Sequence, residues 1–474
     1  MTFRIDRLAL DHFRSWSQTV LDFSPGINVL VGKNGIGKTN IVEAIEFLAT
    51  GASHRASASK YLVQRGETKA TVRANVFHRT NSAEIESLKT IEVTIPQRGA
   101  IRSRIDSGPS RYFRDIAGTV KAVLFSPRDQ QLVSGNPADR RSFLDSAATM
   151  MFPDYYSLLQ RFRQIAKQRT AVLKRIADFT PQQRASNQGM SMTELEVWTS
   201  QFIDVGIEIT QRRQRVVTDL SVPFTRIYNE LAHGEGFATL HYVPSFAEVV
   251  SVKEPQSVTD TDTEAAMMDV SNSIDERSTT EINLSETDKK LVHDSIKQGI
   301  AEHFQRLYPG EVARGVNLIG PHRDDLLVSL DGEPAQEFAS NGELWTLGLA
   351  LKMAQFDYVA NDDTPVLILD DVFAQLDESR RQQILAFAAH QQQVFITVAA
   401  HSDIPPVGKI NIIDVEAVAA KMSEGGALEA DVRNLLGRKS SENSKNKNKE
   451  KSSEERDDGD FPDAATSRGE GEQQ

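Results

Sequence analysis

The sequence predicts an α/β fold in which a phosphate-binding loop and its partner carboxylates come from opposite ends of the chain, with a helical arm inserted between them. Two segments carry the prediction. Gly32-Lys33-Asn34-Gly35-Ile36-Gly37-Lys38-Thr39 fits the loop GxxxxGK[ST], and Val366-Leu367-Ile368-Leu369-Asp370-Asp371 reads as a buried strand ending in two acids. The third observation is the texture between them. From about residue 138 apolar positions recur at three- and four-residue steps, and β/α alternation returns at about 315.

Each element follows in order. Residues 3–10 and 19–23 alternate as strands around the turn-like Arg14-Ser15-Trp16-Ser17, and strand 27–31 runs into the glycine loop. Ile41, Val42, Ala44, Ile45 and Leu48 then set a helix beginning near Lys38. Residues 70–77, 90–95 and 121–125 read as further strands, and residues 153–178, 193–219 and 290–308 as long helices packed in an arm. Strand 326–330, helix 342–359, strand 365–369, helix 379–390 and strand 394–398 complete the head. The implied division is head 1–137, arm 138–314 and head 315–437, with a disordered acidic insertion at 247–290 and a disordered polar tail at 438–474.

A length of 474 residues suits two or three domains. No apolar run approaches the roughly 20 residues that span a bilayer, so no membrane partner is expected. The absence of cysteine excludes disulfides, thiolate catalysis and Cys-ligated zinc, and fits a cytoplasmic protein. The net charge of −12 is uneven. Residues 245–290 hold eleven acids against four bases, and 439–474 ten against seven, a joint net of −10 that leaves the remainder near −2. Global acidity therefore does not exclude a nucleic-acid partner.

The loop suits ATP because Gly35 and Gly37 let backbone N–H groups turn onto phosphate oxygens at a helix N-terminus. Lys38 would place its ammonium on the β- and γ-phosphates, and Thr39 its hydroxyl on Mg²⁺. Asp370 would support Mg²⁺, and Asp371 would orient or deprotonate the attacking water; the pair also suits a solvated strand end. Upstream, Ser340-Asn341-Gly342-Glu343 opens a helix in a form that fits both an anion site and an ordinary cap. Its place before the Asp370-Asp371 strand favours the anion.

Further segments make the resemblance specific: Leu8-Ala9-Leu10-Asp11-His12-Phe13-Arg14, Ser53-His54-Arg55, Phe125-Ser126-Pro127-Arg128-Asp129, Asn136-Pro137-Ala138-Asp139-Arg140-Arg141, Gly320-Pro321-His322-Arg323-Asp324-Asp325, and Asp370-Asp371-Val372-Phe373-Ala374-Gln375-Leu376-Asp377. In this order, over about residues 3–405, they resemble the RecF family of bacterial recombination mediators, relatives of the SMC-type ATPases. The resemblance implies an ABC-type head that dimerises on ATP, with Gly32, Lys33, Asn34, Gly35, Ile36, Gly37, Lys38 and Thr39 on the nucleotide. It implies Ser340 and Gly342 on the γ-phosphate held by the other subunit, Asp377 at that interface, and Asp129 or Gln130 on a loop sensing Mg²⁺ and water. The switch position is Thr397, with His401 four residues on leaving the choice open. It also implies a weak ATPase acting as a switch, without nuclease activity. The expected partners are DNA, as duplex and single-strand/duplex junctions, and RecR, with RecO and RecA in the pathway.

Arg140, Arg141, Arg161, Arg163, Arg212 and Arg213 stand in basic clusters that suit either a phosphate backbone or a solvated, ion-paired face. His322-Arg323 reads as an arginine held by Asp324 or Asp325 at the junction of arm and head. Transporter nucleotide-binding subunits share the loop motifs but lack such an arm, and a nuclease-linked relative would need an appended acidic metal domain. An SMC cohesion ATPase would need a far longer heptad coil.

Overall fold

The computed structural model describes residues 2–79, 86–179, 181–249, 286–361, 363–406 and 408–423. The chain divides into two units, Met1–Val418 and Ala419–Gln474, and every site below lies in the first. Its elements run β1 (Thr2–Phe13), β2 (Trp16–Asp22), β3 (Gly26–Val31), α1 (Lys38–Thr50), β4 (Lys69–Arg79), β5 (Glu86–Pro96), β6 (Arg102–Ile105), β7 (Arg111–Tyr112) and β8 (Ala122–Phe125). Next come α2 (Gln131–Ser134), α3 (Pro137–Met151), α4 (Tyr155–Ala177), α5 (Pro181–Leu231), β9 (Ala238–Val243), α6 (Glu286–Arg314), β10 (Asp325–Leu330) and β11 (Glu333–Pro334). The chain closes with α7 (Ala335–Phe338), α8 (Asn341–Ala360), β12 (Val366–Asp370), α9 (Glu378–Ala389), β13 (Gln393–Val398), β14 (Ile410–Asp414) and α10 (Val415–Ser423).

The central sheet is parallel, in the order β14-β3-β13-β12-β8, and so joins strands from both ends of the chain. Of its three inner strands, β12 and β13 are buried along their whole length and β3 at every residue but Gly26, as expected of a parallel sheet covered on both faces. A second, antiparallel sheet runs β2-β1-β4-β5-β6-β7. In β1 the buried positions change from odd (Phe3, Ile5) to even (Leu8, Leu10). A register shift between Ile5 and Arg7 supplies the extra residue that re-aims the strand. Gln393 at the start of β13 joins the two sheets: its Nε2 donates to Ile5 O (2.7 Å) and its Oε1 accepts from Ile5 N (2.8 Å).

Helix α8 is apolar on nearly all sides, with Leu347, Leu351, Phe356 and Val359 all buried, and lies inside the core accordingly. Buried ions tie the arm helices to β10. Arg213 on α5 donates to Asp145 on α3 (2.8 Å), to Asp324 (2.9 Å) and to Pro321 O (2.6 Å), while Tyr242 OH and Ser245 N also donate to Asp324. Arg140 forks onto Asp325 at 2.7 and 2.8 Å. Asp324 and Asp325 therefore hold Arg213 and Arg140, correcting the sequence reading that paired them with Arg323, which donates to Asn317 O (3.4 Å).

Helix α5 runs about a dozen residues beyond each end of the sequence reading, and strands β6, β7, β9 and β14 and helix α10 went unread. Of the acidic insertion, residues 250–285 lie outside the described residues, and 286–290 open α6. The tail 438–474 lies outside them entirely. Among the described residues no helix is long and apolar enough to cross a membrane.

Candidate nucleotide site

The site forms where parallel strands end, the usual ligand crevice of such sheets. Strands β3 and β12 are not neighbours: β13 lies between them, and Thr397 pairs with Leu30 on one side and Asp370 on the other. The Thr397 hydroxyl donates to Asp370 Oδ1 (2.8 Å) and accepts from Asp371 N (2.9 Å), and Thr39 donates to the same carboxylate oxygen (3.1 Å). The glycine-loop threonine, both acids and Thr397 thus form one cluster. Burial pushes the Asp370 carboxyl above its ordinary range, against the pull of Thr397, the His54 charge and Thr39. Asp371 is exposed and left-handed (φ 55°), anchored by its bond to Thr397. His401 is exposed at the start of a short turn over 401–403. Thr397, not His401, makes the contacts with both acids.

The glycine loop opens directly into α1, with Gly37 at φ 112°. A Cβ at Gly37 would come within 2.8 Å of Trp16 Nε1 and 2.9 Å of Ser15 Oγ, so only glycine fits. Trp16 donates its indole N–H to Gly37 O (3.1 Å), anchoring the loop to the second sheet. Lys38 folds back onto the loop and donates to Gly32 O, Lys33 O (3.2 Å) and Asn34 Oδ1 (3.5 Å). Burial lowers its pKa, while Asp371, Asp370 and Glu416 pull it back.

The predicted water-sensing loop follows β8. Asp129 turns inward and accepts from Ser126 N (2.8 Å), whereas Gln130 Nε2 reaches Asn341 Oδ1 at 3.4 Å. Gly348 on α8 admits this loop: a Cβ there would meet Asp129 O at 2.7 Å. Asp129 is half-buried as a residue, but burial pushes its carboxyl up to about 6, against Lys352, Ser126 N–H and His54.

Ser340, Gly342 and Asp377 form a second group. Ser340 caps α8 in a reciprocal box with Glu343, so the cap reading of this segment holds. Arg380 ties the group together: it donates to Gly342 O (3.2 Å) and Thr346 Oγ1 (3.1 Å), and its guanidinium and backbone N–H both reach Asp377, the cap of α9. Among the described residues no hydrogen bond or ion pair joins this group to the glycine loop.

Sequence reasoning missed several residues. The sequence gives His54 no role, yet it bonds Glu46 (2.7 Å) and its charge acts on Asp370 and Asp129. Burial alone would lower its pKa, but the bond and charge of Glu46, with Asp370 and Glu43, hold it above its ordinary value. Arg380 carries the i+3 spacing from Asp377 that could have flagged it. Glu416 on α10 accepts from Lys33 N (3.0 Å) and left no motif at all.

The six DNA-facing arginines separate. Arg140 and Arg213 are buried in the ion pairs above and are unavailable to a phosphate, a correction to that reading. Arg141 donates to Asp324 O (2.8 Å), and Arg212 pairs with Asp154 (3.1 Å). Arg161 and Arg163 are exposed on α4.

The sequence profile described as RecF/RecN/SMC N terminal domain matches residues 4–418. The DNA replication and repair protein RecF of Bifidobacterium adolescentis is 50% identical over 422 residues, covering 89% of this chain and 93% of that protein. The chain belongs to the RecF family. RecF of Bifidobacterium longum subsp. infantis is 47% identical over 425 residues, covering 88% and 90%. A solved structure of the recombination mediator protein RecF with ATPrS, in the RecFOR pathway, superposes with a TM-score of 0.68 at 23% identity, covering 87% of this chain and 96% of that one. A RecF–ATP structure gives 0.65 at 23%, covering 85% and 94%. These likenesses give this RecF-family chain the α/β ABC-type head fold.

Proposed function

We propose that this protein is an ATP-gated DNA clamp of replication and recombinational repair. Two copies close on ATP, each Lys38 loop facing the Ser340 helix tip of the other, and the closed pair holds DNA at gaps and junctions. Slow hydrolysis reopens it. With RecO and RecR, the state on DNA helps load RecA onto single strands. The names of the relatives and the ATP-bearing RecF structures support this reading.

One observation carries it: among the described residues no hydrogen bond or ion pair joins the two halves of the nucleotide site within one chain. The first half has the loop, Asp370, Asp371 and Thr397. The second is an exposed, pre-capped helix tip at Ser340, held in place by Arg380. Phe338, two residues before Ser340 and 70% exposed, offers the same face an apolar contact for a second copy.

Thr39 and Asp370 would hold Mg²⁺; a hydroxyl and a carboxylate already sharing a 3.1 Å contact suit a hard cation with oxygen ligands. When bound, the ion would neutralise phosphate charge. This chain's own contributions are positional. Lys38 and the loop N–H groups receive the phosphates, the αL turn presents Asp371 to solvent where an attacking water would lie, and Thr397 fixes both acids. Gln130, in contact with Asn341, would link the water-sensing loop to the partner-facing helix.

Sedimentation of the full chain, with and without ATP and with a gapped duplex, tests this. Wild type should dimerise with ATP and carry DNA, and Ser340→Arg should bind ATP yet stay monomeric. A wild type that remains monomeric at saturating ATP, on or off DNA, overturns the clamp.

A further inference from the structure

A cavity of about 580 Å³ lies between α4 and the segment 316–323, and none of its lining residues belongs to either half of the nucleotide site. Four cations line it: Arg163, Lys167 and Lys174 from α4, and Arg323 opposite. Among the described residues Lys167, Lys174 and Arg323 have no carboxylate within 4 Å, and Arg163 has only Asp145 at 4.0 Å. The contrast with Arg140 and Arg213, saturated a short way along the same region, is sharp. Between the cations the wall is apolar, from Phe162, Ala166 and Val316. His322 lines it too: its Nε2 donates to Asn317 O (3.2 Å), leaving Nδ1 buried and without a partner among the described residues.

The wall is rigid. Arg169, 1% exposed, forks onto buried Glu311 at 3.0 and 2.6 Å and donates to Asn317 Oδ1 at 2.7 Å. Asn317 in turn donates to Ala166 O (3.1 Å) and Thr170 Oγ1 (3.0 Å), which locks the two sides of the cavity together. Arg169 belonged to the same basic run in the sequence, but its role is to brace the site on which its neighbours stand.

We propose that this cavity seats one unpaired nucleotide of a nucleic-acid strand, with its base on the apolar wall and the adjoining phosphates on Arg163, Lys167, Lys174 and Arg323. The inference rests on the DNA-binding reading above and gives it a location and a preference. The steps from Arg163 to Lys167 and on to Lys174 are four and seven residues, about 6 and 10.5 Å along a helix face. Three cations on one helix face over about 16.5 Å can follow the backbone of a single strand. An apolar wall rimmed by cations fits a base and its backbone, and the volume suits a group of nucleotide size. An acidic peptide would use the rim and leave the wall bare.

The test uses the full chain with ATP and two fluorescent probes, a blunt duplex and the same duplex carrying a short single-stranded tail. The double variant Lys167→Glu/Lys174→Glu reverses two exposed charges; Ala171→Trp, also exposed and lining the cavity, fills it without altering charge. The charge reversal should weaken the tailed duplex at least tenfold and lower its salt slope by about 2. Ala171→Trp should weaken the tailed duplex about fivefold and leave the blunt one unchanged. Both variants should still dimerise with ATP. If wild type binds DNA and both variants bind the tailed duplex as wild type does, the cavity is not a site and the clamp reading survives. If Ala171→Trp affects neither probe while charge reversal weakens both equally, the nucleotide seat is wrong. A wild type that binds neither probe overturns this proposal and the clamp together.

Discussion

The nucleotide site and the Arg213 junction are both built from carboxylates, cations and hydroxyls, and they differ in what is left over. At the junction every charged group is hydrogen-bonded: Arg213 meets Asp145, Asp324 and a carbonyl, and Asp324 receives Tyr242 and Ser245 besides. Arg213 is 2% exposed and Asp324 fully buried, and the surrounding acids hold the Arg213 pKa above its ordinary value in spite of burial. At the nucleotide site the groups are held but unfinished. Asp371 is fixed by its backbone with its side chain in solvent, and Lys38 is closed on loop carbonyls that a phosphate would replace. Saturated charge builds structure, and charge with open valences does chemistry.

The largest effect is expected at the junction. Arg213→Met strands Asp145 and Asp324 without their cation, which should cost about 3–5 kcal/mol of stability in urea unfolding. Loss below about 1 kcal/mol would place the residue outside the saturated class. Lys38→Ala should behave in the opposite way. Its unfolding midpoint should stay close to wild type, while ATP affinity falls about a hundredfold, on the order of 3 kcal/mol of charge-assisted hydrogen bonding. Titration with a fluorescent ATP analogue measures the fall. An affinity within threefold of wild type would remove Lys38 from the phosphate site.

Asp129 sharpens the comparison because it belongs to neither class: bonded, but held in the charged form at a cost. Its folded-state pKa is raised to about 6, above the ordinary value near 4 of the unfolded chain. Between those values the folded state binds the proton that the unfolded state does not. Stability from this group therefore rises as pH falls from 7 towards 4, the reverse of a salt-bridged acid. Asp129→Asn keeps one oxygen for Ser126 N–H and should flatten that trend. At pH 7.5 it should be more stable than wild type by about 1–2 kcal/mol, a figure reduced for partial solvation. Urea midpoints at pH 5 and 7.5 give the answer; parallel pH trends in the two proteins would refute the assignment.

Most of the head was legible because its signals are local. The apolar run 366–369 ending in acids, the glycine loop directly after a strand, and the Ser340 cap box are all visible within a few residues. The unread elements lacked that clarity. Strand β14 reads Ile-Asn-Ile-Ile-Asp, without alternation, at the edge of its sheet. Strand β9 alternates cleanly, with Ala238, Leu240 and Tyr242 buried, but sits between two long helices whose period dominated the reading. Side-chain partners were the least legible. Arg140, Arg161 and Arg213 look alike in sequence, and only the fold decides which meets Asp325, which meets solvent and which is buried. The same blindness hid Glu416, whose partner lies 383 residues away.

Glu416 gives the smallest and most discriminating effect. Its carboxylate accepts from Lys33 N (3.0 Å) and lies 3.6 Å from Lys33 Nζ, so α10 rests on the phosphate loop by a contact that is itself acidic. Both side chains are solvent-accessible, so removing the charge should change stability by less than about 0.5 kcal/mol. A polyphosphate arriving at the same loop meets that charge, and at surface-like dielectric a unit charge several ångströms away is worth about 0.5–1 kcal/mol. Glu416→Gln, which keeps the hydrogen-bond acceptor, should therefore tighten ATP binding by about two- to fivefold at low salt, and the gain should fade near 1 M salt, where screening acts over about 3 Å. An unchanged affinity at low salt would reduce the contact to a structural tie between helix and loop. A gain that persists at high salt would mean that α10 blocks the loop by its bulk and not by its charge.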